Sequence, residues 1–352
     1  MSNTGKINPQ AFVFDMPKGM AAVRDNQTFM AENAHLALQF PIPELRWYFH
    51  PSYPGKQTTI QAQSHHGKTN FIDYWAHQAA QELSESGRKG IIIKINTEDS
   101  VEMQISAELA KGGAGTVDDL QTGIIRNPEQ YIKVETAVGS LPIVFIGESM
   151  GMDDGNAAEL YMSNIARLID FVRKEYFAEE MPVAAIFLDY IHALPFDPEI
   201  KARTNIEATR RTQIMEDENR IRRAAKYFSC PVIVNAQSKQ DEALSTNGQM
   251  MKIPGFWDIQ ETSYISQHTD FLYSLWFPKM HYPVGSTQSH RDMPWSLKVK
   301  DNQMWVKVVK HKGYKNVGQS FPILLDEYGN MQLDKDTYTY IASTTTTGGP
   351  QK

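Results

Sequence analysis

The chain contains one segment whose residue types and order suit the binding of a nucleotide phosphate. After a short apolar run, residues 62–69 read AQSHHGKT, and a helical pattern follows. In such a loop the backbone N–H groups face the β-phosphate, the lysine neutralises phosphate oxygens, and the threonine hydroxyl binds Mg²⁺. The residues expected to form this phosphate-binding loop are Ala62, Ser64, His65, His66, Gly67, Lys68 and Thr69. Alanine stands where the motif usually has glycine, so an ordinary turn before a helix is the alternative.

Three other polar residues follow short apolar runs and suit the hydrolysis of a phosphate bond. Asp189 could hold the water shell of Mg²⁺, and Glu98 could orient and polarise the attacking water. Gln237 could contact the γ-phosphate and report hydrolysis to a nearby loop. The simpler interpretations are a turn residue for Asp189 and a polar residue leaving a strand for Gln237. Near Glu98, Thr97 or Asp99 could be the N-cap of the next helix, which is compatible with a catalytic Glu98.

These residues lie at the ends of predicted strands. The predicted strands are Thr58–Ala62, Ile91–Ile95, Pro142–Ile146, Val183–Asp189, Pro231–Ala236, Phe271–Phe277 and Val306–Val309. The predicted helices are Thr69–Ser86, Ser100–Lys111, Ala157–Phe177 and Asn205–Phe228. Apolar strands that alternate with helices predict an α/β fold, with a mostly parallel central sheet, helices on both faces and an antiparallel extension. Ligands bind such sheets at the carboxyl ends of the strands, where the polar residues fall.

Composition narrows the class of protein. The chain has 352 residues, enough for one large domain or two smaller ones, and 41% of them are hydrophobic. The sequence has no apolar run of about 18 residues and no hydrophobic signal segment, so we expect a cytoplasmic protein without a membrane span. The single cysteine, Cys230, excludes an internal disulfide and a cysteine-rich zinc site. A net charge of −6 does not exclude nucleic-acid binding through a local cluster of cations.

The two ends differ in pattern from the middle of the chain. Residues 1–27 are polar and read as a flexible arm, followed by a short helix-like segment, Phe29–Leu38. That helix could cap its own domain or dock on a neighbouring subunit. Residues 335–352 are of low complexity and are expected to be disordered. We therefore divide the chain into an arm (1–44), a motor domain (45–334) and a tail (335–352).

Several blocks of sequence, taken in order, resemble a known family. They are AQSHHGKT, NTEDS, IFLDYIHAL, NRIRRAAKYFSCPVIVNAQSKQ, DIQETSYISQHTDFLYSL and VVKHKGYKNVGQ. The chain resembles the RecA-fold motor domain of the DnaB-type replicative hexameric helicases of bacteria and phages, from about Leu45 to Leu333. That family often has alanine at the position of Ala62.

The resemblance implies a P-loop ATPase with ATP and Mg²⁺ as ligands. Lys68 and Thr69 would bind phosphate and Mg²⁺, Asp189 would position the metal, Glu98 would be the catalytic carboxylate, and Gln237 would be the sensor of hydrolysis.

The resemblance also implies residues that act on the ATP of a neighbouring subunit. Lys310 and Lys312 match the lysine and arginine that serve as fingers in trans. The family usually has arginine where this chain has Lys312, and a lysine supplies charge without a bidentate fork. The expected assembly is a homo-oligomer, a hexamer in this family.

The block that contacts DNA departs from the family pattern. Where the family has an Arg-Glu-Ser-Gly run, this chain has Gln260, Glu261, Thr262 and Ser263. Lys239 and Lys252 are possible substitutes for the missing arginine. The segment 238–257 has the length of a pore loop, and its Phe256 and Trp257 either stack on bases or pack beneath the loop. The mixed charges of helix 205–228 predict a solvated or inter-subunit face.

Three functions remain open from the sequence. The first is an ATP-dependent replicative DNA helicase, a hexameric ring on single-stranded DNA in a bacterial or phage-infected cell, with a primase or helicase loader as a further partner. Family members have a separate N-terminal helical domain, whereas about 40 residues precede the motor here, so primase recruitment through that domain is not expected. The second is a RecA-like DNA-dependent ATPase of recombination or loading, and the third is a degenerate nucleotide-binding scaffold.

Overall fold

A computed structural model describes residues 15–32, 36–148, 160–177, 179–197, 209–239, 253–289, 296–312 and 316–347. The strands in these ranges are β1 Gln57–Ala62, β2 Ile91–Asn96, β3 Ile143–Ile146, β4 Val183–Asp189, β5 Val232–Gln237, β6 Phe271–Trp276, β7 Thr287–Ser289, β8 Ser296–Lys298, β9 Gln303–His311, β10 Ser320–Leu325 and β11 Met331–Leu333. The helices are α1 Met16–Glu32, α2 Lys68–Glu85, α3 Val101–Lys111, α4 Val117–Gln121, α5 Pro128–Gly139, α6 Met162–Phe171, α7 Arg210–Tyr227, α8 Tyr264–His268 and α9 Lys335–Thr347.

The described strands form one large sheet and one small hairpin. The large sheet has the order β11-β10-β9-β6-β1-β5-β4-β2-β3, and β7 pairs with β8. Strands β3, β2, β4, β5, β1 and β6 pair in parallel. Strands β9, β10 and β11 extend the sheet in antiparallel pairing. The predicted mostly parallel sheet with an antiparallel extension is confirmed.

Both faces of the sheet are covered by helices. Along β2, Ile92 packs in a cluster with residues of α2, whereas Ile93 packs in a second cluster with residues of α6 and α7. Successive side chains of a strand point to opposite faces, so the two clusters lie on the two sides of the sheet. This is the arrangement that the near-continuous apolar strands predict.

A buried ionic cluster fixes β2 against two helices of the first face. Lys94 of β2 is 1% exposed, and its Nζ lies 2.7 Å from Asp73 of α2 and 3.6 Å from Glu108 of α3. Burial lowers the pKa of Lys94, but attraction by Asp73 and Glu108 outweighs burial and leaves the pKa raised. His77 of α2 also contacts Glu108, at 2.7 Å. The cluster holds α2 and α3 in fixed positions relative to β2.

The N-terminal prediction is wrong in its boundaries. The helix lies at Met16–Glu32 rather than Phe29–Leu38, and Leu38 instead forms a β-bridge with Ser52. The Asp15 side chain accepts a hydrogen bond from the Lys18 N–H at 2.9 Å, which is an N-cap interaction. Proline is tolerated in the first turn of a helix, so Pro17 does not break α1.

The prediction of a disordered tail is wrong for residues 335–347, which form α9. The buried Asp334 accepts a hydrogen bond from the Thr337 N–H at 3.1 Å and so caps the helix. Tyr338 stacks on Phe321 of β10, and its hydroxyl lies 2.8 Å from that of Tyr48. The threonine-rich composition did not reveal these tertiary contacts. Helices α4 and α5, the hairpin β7–β8 and strands β10 and β11 are also absent from the sequence prediction.

Helix α7 is not the simple solvated or inter-subunit face that its mixed charges predict. Asp217 and Glu218 are fully buried, and Glu218 accepts a hydrogen bond from Gln57 of β1 at 2.9 Å. Burial raises the pKa of Asp217 and of Glu218 to about 7. The helix therefore places weakly acidic groups in the interior, beside the central strand.

Replacement of Glu218 by glutamine tests this environment. The folded pKa of about 7 lies above the ordinary value of 4.5, so the folded state binds more protons between these pH values and its stability falls as the pH rises through them. The amide cannot ionise. We expect Glu218→Gln to raise the free energy of unfolding by about 3 kcal/mol at pH 8, with most of this gain absent at pH 5.

Urea unfolding at the two pH values measures the effect. Glu216→Gln, at a partly exposed position of the same helix, is the matched control and should change little. Equal gains for Glu218→Gln at pH 5 and pH 8 would contradict the assigned burial.

Candidate nucleotide-binding site

The phosphate-binding loop connects β1 to α2, as the sequence predicts. The loop enters the left-handed region at His65 (φ 63°) and at Gly67 (φ 76°), directly before the helix begins at Lys68. A side chain at Gly67 would strain this backbone, and its Cβ would lie 3.1 Å from the sulfur of Met304. Left-handed residues next to ordinary ones form concave rows of N–H groups that bind anions. The backbone therefore suits a phosphate.

Lys68 lies across this loop. Its Nζ donates a hydrogen bond to the Gln63 carbonyl at 3.0 Å. Burial lowers the pKa of Lys68, while attraction by Asp189 and Glu98 opposes the shift. The lysine, the aspartate and the glutamate predicted from three separate segments therefore share one electrostatic environment.

Asp189 ends β4 and is 3% exposed. Its Oδ1 accepts a hydrogen bond from Asn235 of β5 at 2.7 Å, and Oδ2 is buried without a hydrogen-bond partner in the described part of the chain. Burial raises the pKa of Asp189 to about 6. The Thr69 side chain also interacts with Asp189 and lowers that pKa.

These groups fit Mg²⁺ better than a metal with many protein ligands. Within the described ranges no cluster of three or more histidine, cysteine or acidic residues could hold a metal. Mg²⁺ usually keeps several waters and takes one or two protein oxygens together with substrate phosphates. A buried carboxylate oxygen at Asp189, close to the Thr69 hydroxyl, provides ligands of that kind.

Glu98 is exposed on the turn that follows β2. The Asn96 side chain holds this turn, because its Oδ1 accepts hydrogen bonds from the N–H groups of Glu98 (2.8 Å) and Asp99 (2.9 Å). Asn96 pairs in register with Asp189, which brings the turn beside the end of β4. Burial raises the pKa of Tyr190, and the neighbouring Glu98 carboxylate raises it further.

The alternative that Thr97 or Asp99 caps the next helix is wrong. The cap of α3 is Ser100, whose hydroxyl accepts a hydrogen bond from the Met103 N–H. The Thr97 hydroxyl instead contacts the carbonyl groups of Asp189 and Tyr190, at 3.3 Å each. Glu98 is therefore free of a capping role in its own turn.

Gln237 lies at the end of β5, paired in register with Ala62. Its Nε2 donates a hydrogen bond to the Ser64 hydroxyl at 2.8 Å. The predicted sensor thus contacts the phosphate-binding loop directly.

The two histidines of the loop differ in environment. His65 is exposed, whereas His66 is buried and its Nδ1 accepts a hydrogen bond from the Phe277 N–H at 2.9 Å. Its Nε2 lies 2.9 Å from that of His281. Burial lowers the pKa of His66 to about 3. The His66 side chain therefore anchors the loop to the segment after β6.

Lys310 and Lys312 lie away from the loop of their own chain. Lys310 pairs with Leu272 near the beginning of β6, which is parallel to β1, so both lysines lie toward the edge of the sheet opposite the phosphate-binding loop. Lys312 contacts Asp270 at 3.2 Å, and the Asp270 N–H donates to the Gln57 carbonyl. Five residues of strand separate Gln57 from Ala62, roughly 17 Å.

Lys310 is engaged within its own chain. Its Nζ donates hydrogen bonds to the carbonyls of Ser266 and Gln267, at 2.7 Å each, at the end of α8. It also lies 5.6 Å from the centre of the Phe256 ring. Burial and the neighbouring Lys312 lower the pKa of Lys310 to about 8.

The predicted DNA-contacting segment lies beside the end of β5. Ser238 forms an antiparallel bridge with Ile259, and the Lys239 N–H donates to the Asp258 carbonyl at 2.7 Å. The Gln63 side chain of the phosphate-binding loop donates to the Lys239 carbonyl at 3.3 Å. Lys252 lies outside the described residues, as do residues 240–251 of the predicted pore loop.

The side chains of this segment are unequally accessible. Glu261 is exposed and has φ 63°, whereas Thr262 is buried and its hydroxyl accepts a hydrogen bond from the Tyr264 N–H. Trp257 is 62% exposed, and Phe256 is partly buried against the second core cluster. Thr262 therefore supports the start of α8 with its side chain.

Asn235 and Asn96 are site residues that the sequence analysis did not single out. Asn235 is fully buried in β5 and binds Asp189, and Asn96 shapes the turn that carries Glu98. A polar amide within a run of apolar strand residues is the signal that both positions share.

Comparison with known proteins supports the fold. No protein-family model and no curated protein matches the sequence. The solved ATPase domain of a DnaB-like phage protein is similar with a TM-score of 0.65 and 16% identity, over 91% of this chain and 99% of that domain. A DnaB-like replicative helicase, solved with its interactions with primase, is similar with a TM-score of 0.62 and 16% identity, over 84% of this chain. The chain spans 63% of that helicase. The chain therefore has the RecA-like fold of the motor domain of DnaB-type replicative helicases.

Proposed function

We propose that the protein is an ATP-dependent DNA helicase that works as a ring of identical subunits, a hexamer in the simplest case, on single-stranded DNA. One observation carries the proposal. Lys68, Asp189 and Gln237, from three separate segments, converge at the carboxyl edge of a RecA-like sheet. The similarity to the solved ATPase domain of the phage protein supports the same conclusion at the level of the fold.

The side chains have complementary roles in ATP hydrolysis. Lys68 neutralises phosphate oxygens, and Thr69 and Asp189 hold Mg²⁺. Glu98 accepts a proton from the attacking water, and Gln237 contacts the γ-phosphate in place of Ser64. Bound Mg²⁺ would neutralise phosphate charge, a role that the protein side chains complement.

The sheet geometry supports a site shared between subunits. Lys310 and Lys312 lie toward the far edge of their own sheet, where they would be available to the nucleotide of a neighbour. Lys310 would then exchange its contacts with the α8 carbonyls for phosphate oxygens. Heterologous contacts of this kind close into rings when the rotation between subunits permits.

Single-stranded DNA would bind at the segment that follows β5. Lys239, the backbone of Gln260–Ser263 and, outside the described residues, Lys252 are the proposed contacts. Contacts to phosphates imply binding that tolerates any sequence and weakens with salt. Because a similar helicase interacts with primase, we propose a primase or a loader as a further partner in a bacterial or phage-infected cell.

Variants of the loop test ATP hydrolysis. Lys68→Ala should lower single-stranded-DNA-stimulated ATP hydrolysis about 100-fold or more, because it removes a charge that stabilises the transition state. Glu98→Gln should lower hydrolysis about 100-fold or more and leave ATP binding intact, because it removes the base but not the phosphate contacts. Phosphate release and unwinding of a forked duplex are the measurements.

Lys89→Ala is the matched control, since Lys89 is exposed and pairs with the equally exposed Glu179. Unwinding that survives Lys68→Ala would contradict the proposal. Open helical filaments in electron micrographs, in place of closed rings, would favour a recombination ATPase, and ATP binding without turnover would favour a scaffold.

Mixing two inactive variants tests the shared site. Lys68→Ala lacks the loop lysine, and the double variant Lys310→Ala/Lys312→Ala lacks the proposed fingers. If the fingers act in trans, a mixed ring contains interfaces with both functions intact, and an equal mixture should recover about a quarter of the wild-type ATPase rate.

The measurement is phosphate release from the mixture compared with each variant alone, after circular dichroism has shown that both are folded. A mixture no more active than the average of its two components would show that the lysines act within their own subunit or not at all.

A further inference from the structure

His192 connects the candidate nucleotide site to the DNA-contacting segment. It lies in the short 3-10 turn Ile191–Ala193 that follows β4. Its Nδ1 accepts a hydrogen bond from the Gln237 N–H at 3.3 Å, and its Nε2 lies 3.1 Å from the Gln260 carbonyl oxygen. One imidazole ring therefore contacts the sensor on one side and the DNA-contacting segment on the other.

The chemistry of the ring defines the direction of both bonds. Because the Gln237 N–H donates to Nδ1, the proton of the neutral ring is on Nε2, which donates to the Gln260 carbonyl. Burial lowers the pKa of His192 to about 4, so the ring is neutral near pH 7. Arg210 of α7 donates to the His192 carbonyl and, at 2.8 Å, to that of Leu194, which holds the turn in place.

On the nucleotide side, His192 contacts the backbone of a residue whose side chain touches the phosphate-binding loop. Gln237 donates to the Ser64 hydroxyl through its side chain and to His192 through its backbone. When the Gln237 side chain leaves Ser64 for a phosphate, the orientation of its peptide group is set against the His192 ring. A planar ring that accepts at one nitrogen and donates at the other passes such a change on.

On the other side, His192 acts on a peptide group that the direct contact between the segments does not hold. The Gln260 N–H donates to the Gln237 carbonyl at 2.8 Å, which fixes the peptide between residues 259 and 260. The Gln260 carbonyl belongs to the next peptide, and it accepts from His192 and from the Thr262 N–H at 2.7 Å. That peptide leads into Glu261, whose left-handed φ of 63° shapes the exposed turn.

We propose that His192 is a positioning residue that couples the state of the nucleotide site, through Gln237, to the conformation of the turn Gln260–Ser263. The inference rests on the proposed function and deepens it, because it names the contact through which DNA binding and hydrolysis would influence each other. Coupling between two sites is reciprocal, so DNA at the turn should alter hydrolysis through the same ring.

Two substitutions separate the two ends of the relay. The amide of His192→Asn occupies the place of Nδ1 and keeps the contact with Gln237, whereas the amide of His192→Gln occupies the place of Nε2 and keeps the contact with Gln260. Both should retain basal ATP hydrolysis near the wild-type rate. Both should lose about fivefold or more of the stimulation by single-stranded DNA, because the relay needs both bonds.

The ratio of ATPase rates with and without single-stranded DNA is the measurement, with circular dichroism to confirm folding. Stimulation equal to wild type in either variant would overturn the inference. If the wild-type protein hydrolyses no ATP, the proposed function fails, and the relay is then decided by a second measurement.

That second measurement is hydrogen exchange of residues 253–263 with and without a non-hydrolysable ATP analogue. The wild-type segment should change its exchange on binding the analogue, and the segment of either variant should change less. A wild-type segment that ignores the analogue, or variants that respond like wild type, would overturn the relay whether or not the protein is a helicase.

Discussion

The structure depends on the parallel pairing of β1 with a strand on each side. All six residues of β1 are buried, and the strand pairs with β5 and with β6. Both backbone edges of the strand are therefore satisfied, and its carboxyl end has one exit, into the phosphate-binding loop. The register then places Gln237 opposite Ala62, and the next strand, β4, brings Asp189 beside Asn235. The candidate site is a consequence of this pairing.

Polar groups in the interior connect the sheet to its surroundings. Gln57 of β1 donates to Glu218 of α7, and Gln61 donates to Ser274 of β6 at 2.6 Å. Buried polar groups are costly unless they are hydrogen-bonded, so these contacts specify which elements may lie next to β1. Lys94 has the same effect on α2 and α3. Fixed neighbours on both faces give the loop a rigid base.

The same geometry separates two sets of basic residues. Lys68 lies at the carboxyl edge of the parallel strands, whereas Lys312 lies near their amino edge beside Asp270. A long lysine side chain does not span the length of a strand, so one subunit does not bring both sets to one phosphate. If the lysines act on ATP together, a second subunit has to supply one of them. This separation links the fold of one chain to its proposed assembly.

The sequence by itself determined the α/β class, the parallel sheet and the loop from Ala62 to Thr69. Those features depend on local signals, since apolar runs, strand ends and a Gly-Lys-Thr at a helix start act over a few residues. Asp189, Glu98 and Gln237 were predicted for the same reason, because each directly follows a strand.

Only the tertiary structure decided what each strand end faces. The contact of Asn235 with Asp189, the bridge from His192 to Gln260 and the burial of Glu218 join residues that are far apart in the chain. No local pattern encodes such partners. The helix at 335–347 shows the same limit, because its contacts come from Tyr48 and Phe321, which are distant in sequence. Propensity acts between neighbours along the chain, whereas burial and hydrogen bonding act between neighbours in space, and the fold brings those together.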